Sequence, residues 1–259
     1  MPRFRVNQFT RWKKLRVLRL KCELPKAKCL NILRDASSVE DCSLRLKDVE
    51  LHHGQGSGHS TTENAIVSNL KILGLTFSST TALWSFLDRL TFQNLHTLIL
   101  IAQGSVNFQI RPLRDISRLL RHAQRIGSLR SLHIHQLNVD VDVSRVLERL
   151  PLLQVLEARC EKVTTHTAEK IGRGELGSGL RELHDWSYRN LHEFLQACEL
   201  RRAVTQGQCP NSSGAIASFE KVSVRYSKGV TDCEQRIREL RKGGVEFEVF
   251  RGSGKVLFD

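Results

Sequence analysis

The sequence predicts an α/β fold, a leucine-rich repeat solenoid with a parallel β-sheet on the concave face, helices on the convex face and degenerate C-terminal repeats. Three observations carry that expectation. An apolar trio spaced leucine-x-x-leucine-x-leucine recurs along the chain. Its copies step forward by a nearly constant interval, and amphipathic helical stripes fall between them. Self-similarity at a period of roughly 20–29 residues is the signature of stacked strand–helix units.

The first trio is Leu15, Leu18 and Leu20, and Val39, Cys42 and Leu44 repeat it one interval later. Leu70, Leu73 and Leu75 come next, followed at nearly the same interval by Leu95, Leu98 and Leu100. Leu129, Leu132 and Ile134 are matched by Leu153, Leu156 and Ala158, again one interval on. Successive side chains of an extended segment point to opposite faces, so Leu18 and Leu20 point one way while Val17 and Arg19 point the other. A short strand with one apolar face cannot bury that face alone. Stacked parallel strands, each followed by a helix, bury it as one continuous core. Coiled-coil packing is excluded because the apolar runs are short and helical patterns separate them.

The intervening stripes are helical. Leu83, Phe86, Leu87 and Leu90 follow i, i+3, i+4, i+7 spacing, with Ser79 or Thr80 as N-cap. Ile116, Leu119, Leu120 and Ala123 repeat the stripe, as do Val143, Val146, Leu147 and Leu150 before Pro151 stops the helix. Leu191, Phe194, Leu195 and Cys198 form another. Near the end Thr231-x-x-Glu234 reads as a capping box and Gly243 as a C-terminal cap. Val245, Phe247 and Val249 then alternate as a closing strand.

Breaks in register mark insertions. The step from Val39 to Leu70 is too long for one repeat, and HHGQGSGHSTTEN (52–64) reads there as a surface loop. The step from Leu95 to Leu129 is longer still, with the excess around Gln103–Arg111. Pro210–Gly214 marks another loop. Leu180 and Leu183 start a repeat that is expected to lapse at Asp185, and Phe219, Val222 and Val224 read as a degenerate strand. The resulting organisation is a basic flank at 1–14, a repeat domain at 15–250 and a tail at 251–259.

Composition excludes several classes. No apolar run reaches the ~18–20 residues that cross a bilayer. The N-terminus, MPRFRVNQFTRWKK, lacks the apolar stretch of a secretory signal. The seven cysteines are scattered with no C-x-x-C pair. Cys42 takes a core leucine slot, and Cys29 and Cys198 fall on apolar helix faces, which favours reduced buried thiols over a disulfide framework. A cytoplasmic or nuclear protein without membrane contact is expected.

Several segments together resemble a known family. VLRLKCELPKAKCLNILRDASSVEDCSL (17–44) is similar to the opening repeats of the leucine-rich proteins that mushroom-forming fungi encode in large numbers, usually behind an F-box. LDRLTFQNLHTLIL (87–100) resembles that family's central repeat, and LLRHAQRIGSLRSLHI (119–134) the passage that follows. Paired arginines at Arg201 and Arg202, a strand near 219–224 and RIRELRKGGVEFEV (236–249) resemble its ending. The resemblance spans roughly residues 11 to 250. It implies a module in which an F-box docks the linker subunit of a cullin-type ubiquitin ligase while the repeats select the substrate. Only the segment 1–14 precedes Leu15, too short for the helices of an F-box, so contact with the ligase linker is not expected from this chain.

Charge gives a second handle. The chain carries 40 Lys+Arg against 27 Asp+Glu, a net +13. Ten basic residues and one acid lie in 1–28, so 10 − 1 = 9 of the 13 excess charges sit there. Such a segment either keeps the end of a solenoid soluble or attracts nucleic acid or another acidic partner. A recognised nucleic-acid module with stacking aromatics is missing. Arg114, Arg118, Arg121 and Arg125 share one face of a helix, opposite its apolar stripe, and read as a solvated face.

Metal and catalytic chemistry are not expected, nor is a cofactor. His133 and His135 lie two apart on a strand and share a face, yet no carboxylate or cysteine at short spacing completes a site. His52, His53 and His59 sit in the glycine-rich loop. There is no G-x-S-x-G elbow, P-loop, H-E-x-x-H or dinucleotide fingerprint. Cys160 with His166 is the one nucleophile–base pairing the sequence offers, and it has only proximity behind it.

The expectation is a non-enzymatic scaffold that binds a protein partner through the inter-leucine positions of the concave sheet. Those positions are Arg16, Arg19, Lys21, Ser43, Arg45, His96, Arg130, His133, His135, Glu157 and Arg159. They are mostly cationic, which suits a partner with acidic or phosphorylated segments. Two other readings compete. One is nucleic-acid association through residues 1–28, with affinity falling steeply in salt. The other is a non-functional remnant of a large family, with repeats too decayed to melt sharply.

Overall fold

The computed structural model describes residues 14–47, 64–103, 112–136, 140–187, 189–207, 216–226, 233–251 and 254–256. The fold is mixed α/β, and the chain divides into two compact units at Gln109/Ile110. The loops at 52–64, Gln103–Arg111 and Pro210–Gly214 lie wholly or almost wholly outside the described residues, as do the proposed cap Thr231 and most of the basic flank.

Unit 1 contains strands β1 (Val17–Pro25), β2 (Asp41–Lys47), β3 (Ala65–Val67), β4 (Ile72–Phe77), β5 (Leu90–Phe92) and β6 (Thr97–Ala102), with helices α1 (Lys26–Asp35) and α2 (Thr80–Leu87). β1, β2, β4 and β6 pair in that order, all parallel. β3 and β5 form a separate parallel pair. The register places Leu18, Cys42, Leu73 and Leu98 in one row. All four are buried, as are Leu44, Leu75 and Leu100 two positions further along their strands.

Unit 2 contains β7 (Ser131–His135), β8 (Val155–Ala158), β9 (Glu182–Asp185), β10 (Lys221–Arg225), β11 (Glu246–Arg251) and β12 (Gly254–Val256). Its helices are α3 (Pro112–Arg125), α4 (Val143–Arg149), α5 (Thr165–Gly172), α6 (Leu191–Thr205) and α7 (Glu234–Lys242). β7 to β11 pair consecutively in parallel, and β12 closes antiparallel on β11. Leu132, Leu156, Leu183, Val222 and Phe247 share its central buried row.

The strands enter their sheets by a recurring device. One carbonyl accepts from two successive amides of the next strand: Arg16 O from Glu40 and Asp41, Glu40 O from Lys71 and Ile72, and Lys71 O from His96 and Thr97. Unit 2 repeats it at Arg130, Gln154 and Arg181. This satisfies the backbone where those strands begin and holds the register that keeps their apolar residues on the buried side.

The helices follow their stripes. Ser79 caps α2 by accepting from the Ala82 amide, and Asp142 and Thr164 cap α4 and α5 through their side chains. α4 ends at Arg149, ahead of Pro151. Gly243 is the C-cap of α7, with the end of the Arg202 side chain lying against it. Cys29, Cys42 and Cys198 are buried at the positions their spacing indicated. Burial pushes the Cys29 and Cys42 thiols up to about 12.

Three expectations need correction. Leu90 does not continue α2; it opens β5, which pairs with β3. Leu20 is only half-buried, because β1 slips out of register with β2 between Arg19 and Glu23. The repeat starting at Leu180 does not lapse. β9 runs through Asp185, whose side chain is buried in a slot that hydrophobic residues fill elsewhere. Its Oδ1 accepts from the Cys160 and Ser187 amides, and its Oδ2 accepts from Ser187 Oγ and Asn190 Nδ2. Asn190 in turn accepts from the Val163 amide and donates to the Glu161 carbonyl.

α5 and α6 pack at close range through Gly172. A Cβ there would lie 2.6 Å from Leu200 Cβ and 3.1 Å from the Ala197 carbonyl oxygen. Gly172→Ala is therefore expected to destabilise by about 1–3 kcal/mol through overpacking, despite alanine's better helix propensity. A lowered thermal midpoint by circular dichroism checks this.

Candidate functional site: the outward rows of the strands

Between the buried positions, each strand points side chains to the opposite face. In unit 1 Arg19, Ser43, Gly74 and Ile99 form one outward row, and Arg45, Thr76 and Ile101 form the next, with Glu23 opposite Arg45. Of the positions expected to bind a partner, Arg19, Ser43 and Arg45 stand here. Arg19 and Arg45 are exposed and Ser43 half-buried. Lys21 is exposed but lies where β1 is out of register, so it belongs to neither row. Arg16 and His96 in unit 1, and Arg130 in unit 2, each come just before their own strand, at the end where it begins.

The cations are less free than the sequence suggested, because neighbouring strands supply acids. Arg19 donates to Asp41 Oδ2 at 2.8 Å, which raises its already high pKa. Arg16 and Lys71 flank Glu40 at 3.5 and 2.7 Å, and the Lys71 hydrogen bond lowers the Glu40 carboxyl. Arg159 pairs with Asp140 at 2.5 Å, and Arg189 holds the same carboxylate at 3.0 Å. Arg130 donates to the Leu152 carbonyl at 3.4 Å.

Unit 2 brings His133, His135 and Glu157 together. Register sets His133 directly opposite Glu157, and Glu157 opposite His184 on β9. Glu157 Oε2 lies 2.7 Å from His133 Nδ1, and its Oε1 lies 3.7 Å from His135 Nδ1. Trp186 Nε1 donates to Glu157 Oε1 at 3.1 Å, and Ser131 Oγ sits 2.7 Å from His133 Nε2. The two imidazoles stack with centroids 6.1 Å apart. Burial pushes the Glu157 carboxyl up. The His133 hydrogen bond and the charges of His135, His133 and His184 outweigh it and leave the carboxyl below its usual value.

The rows continue through residues the sequence reading did not single out. Ser223 and Glu248 extend the His133–Glu157–His184 row, with Ser223 Oγ donating to Glu248 Oε2 at 3.1 Å. Lys221 bridges Glu246 and Glu248 at 2.8 and 3.3 Å. Arg225 lies over the Trp186 ring, 4.7 Å from its centroid. Their signal was present: Lys221, Ser223 and Arg225 flank the apolar positions of a strand that looked degenerate, and Glu246 and Glu248 alternate with Val245, Phe247 and Val249 of the closing strand.

The Cys160–His166 pairing finds no support in this geometry. Cys160 is fully buried, and burial with Asp185 nearby holds its thiol well above the ordinary value, whereas His166 is exposed on α5. On the Arg114–Arg125 stripe, Arg121 and Arg125 are exposed, Arg118 is half-buried, and the Arg114, Ile116 and Leu119 side chains lie outside the described residues. Among the described residues no helix is long and apolar enough to cross a membrane.

No protein-family model matches this chain, and no curated protein matches it.

Proposed function

We propose that this chain is a non-enzymatic leucine-rich repeat solenoid that binds a protein partner against its concave sheet. In class it would be a substrate-recognition module akin to the repeat half of fungal F-box proteins. The observation that carries the reading is the outward register. Within each unit, rows of largely half-buried side chains stand in line along parallel strands, while the other face of the same strands is consumed by the core. Such rigid, registered side chains suit recognition of an extended surface, and strands hold them more firmly than loops would. Arg19 and Arg45 in unit 1 stay exposed although Asp41 pairs with the first and Glu23 stands opposite the second, and their exposed guanidiniums support a partner with acidic or phosphorylated segments.

The direct test is affinity capture of the tagged full chain from native extract, with and without nuclease, and identification of bound proteins by mass spectrometry. The proposal expects a stoichiometric acidic protein that survives nuclease. Capture lost on nuclease treatment transfers the function to nucleic-acid binding by the basic segment 1–28. A ligase linker and cullin among the retained proteins would place the chain in the ubiquitin system.

A further inference from the structure

The cluster on β7 and β8 has features that a hydrogen-bonded histidine–glutamate pair does not require. One histidine would satisfy Glu157. Two converge on it, each presenting Nδ1, and the three ligating atoms lie within 4.8 Å of one another. Zinc bound to nitrogen and oxygen at its usual lengths sets ligand atoms about 3.3 Å apart in a tetrahedron. The histidine nitrogens stand at comparable distances from the carboxylate, 2.7 Å from Oε2 for His133 and 3.7 Å from Oε1 for His135.

The surrounding groups are those that orient metal ligands. Ser131 Oγ contacts His133 Nε2, so once a metal takes the place of the Nδ1 proton that now faces Glu157, Nε2–H can donate to the serine and hold the ring's orientation. Trp186 donates to one Glu157 oxygen and fixes the carboxylate plane. Access is open, since the side chains of His133, His135 and Glu157 are 22, 32 and 17 % exposed on the outward face. The ligands stand on strands rather than on loops, His133 directly opposite Glu157 and His135 at the end of the same strand as His133.

We infer that His133 Nδ1, His135 Nδ1 and the Glu157 carboxylate form a binding site for a divalent transition metal of the zinc class, with a coordination position left open toward solvent. Two imidazoles and one carboxylate suit zinc and its neighbours rather than calcium or magnesium, which take oxygen ligands. The metal enters between Glu157 and the histidines and replaces the His133–Glu157 hydrogen bond. The ion would be held on the same outward face proposed to bind a partner, but the site does not depend on that reading.

The test uses the full chain and the metal alone. Zinc is titrated calorimetrically and against a chromogenic chelator, and cobalt substitution is followed by visible absorption. The wild type is expected to bind one equivalent at micromolar or tighter affinity and to give the intense d–d bands of a low-coordinate cobalt site. His135→Ala and Glu157→Gln each remove that equivalent, and Trp186→Phe weakens it about tenfold or more by loosening the carboxylate. A variant with His52, His53, His59 and His192 all changed to alanine retains it. Circular dichroism melts of every variant separate a lost ligand from a lost fold. No binding by the wild type, or an equivalent that survives in folded His135→Ala and Glu157→Gln, overturns the inference. So does loss of the equivalent in the four-histidine variant.

Discussion

Replacing Arg201 by methionine is expected to destabilise the protein by about 3 kcal/mol, because the lost hydrogen bonds come from a charged group. Arg201 sits on the inner face of α6 and is 1 % exposed. Nε donates to the Ile171 carbonyl at 3.0 Å, Nη1 to Ala217 at 3.0 Å and Nη2 to Gly177 at 3.2 Å; Nη2 also contacts the Ile171 carbonyl. The guanidinium covers the Phe219 ring at 4.8 Å. One side chain thus ties the end of α5, the turn after it and the approach to β10 together. Burial pulls its pKa down to about 10, which leaves it charged at neutral pH. Methionine keeps much of the volume and avoids burying a charge, and so recovers part of the cost. Lysine cannot reach three carbonyls with one ammonium and leaves a buried charge under-bonded, so Arg201→Lys should cost at least as much. For a chain of this size the thermal midpoint of Arg201→Met should fall by roughly 6–12 °C. An unchanged midpoint would mean that the carbonyl contacts contribute nothing.

Asp185→Ala is the second large effect, again about 3 kcal/mol. The buried amides of Cys160 and Ser187 lose their acceptor at 2.9 and 2.8 Å, and Ser187 Oγ and Asn190 Nδ2 lose theirs at 2.6 and 2.9 Å. Asparagine keeps one oxygen for the two amides but turns a donor toward Asn190 Nδ2, so Asp185→Asn should cost about half as much. Urea denaturation of the two variants beside the wild type measures both. If alanine and asparagine cost the same, the oxygen that accepts from the two amides carries no weight.

These two residues also mark where pattern reading stops. The buried trios were legible from Leu18 to Val249 because the alternation of extended strands is purely local and the core takes apolar side chains. Asp185 broke the pattern without breaking the structure. Its acceptors are matched by amides from a neighbouring segment and from its own turn, a pairing that hydrophobicity cannot register. Arg201 was visible as half of an arginine pair, but nothing local tells which arginine of the two turns inward. Arg202, its neighbour, donates instead to the Glu239 carbonyl on α7.

The candidate site shows the same division. Strand spacing located His133, His135, Glu157 and Arg159 as outward residues, since they alternate with Leu132, Ile134, Leu156 and Ala158. No third metal ligand stands near the histidines along the chain. The carboxylate arrives from one repeat later, because parallel strands in register bring His133 beside Glu157. The repeat interval that carries Leu132 onto Leu156 carries His133 onto Glu157 as well, so the contact was implicit in the spacing. The acids that neutralise Arg16, Arg19 and Arg159 escape a local reading for the same reason: Glu40, Asp41 and Asp140 belong to neighbouring segments, not to neighbouring residues in sequence.

The measurement that bears most directly on the outward face is partner capture by the double variant Arg19→Glu/Arg45→Glu. Both side chains are exposed, so losing a pair such as Arg19–Asp41 costs little and facing the new glutamates with Asp41 and Glu23 adds only a small repulsion; the melt should fall only slightly. Reversal places two negative charges on the unit 1 rows and should abolish capture of the acidic partner. Retained capture by the folded variant would contradict partner binding through this face.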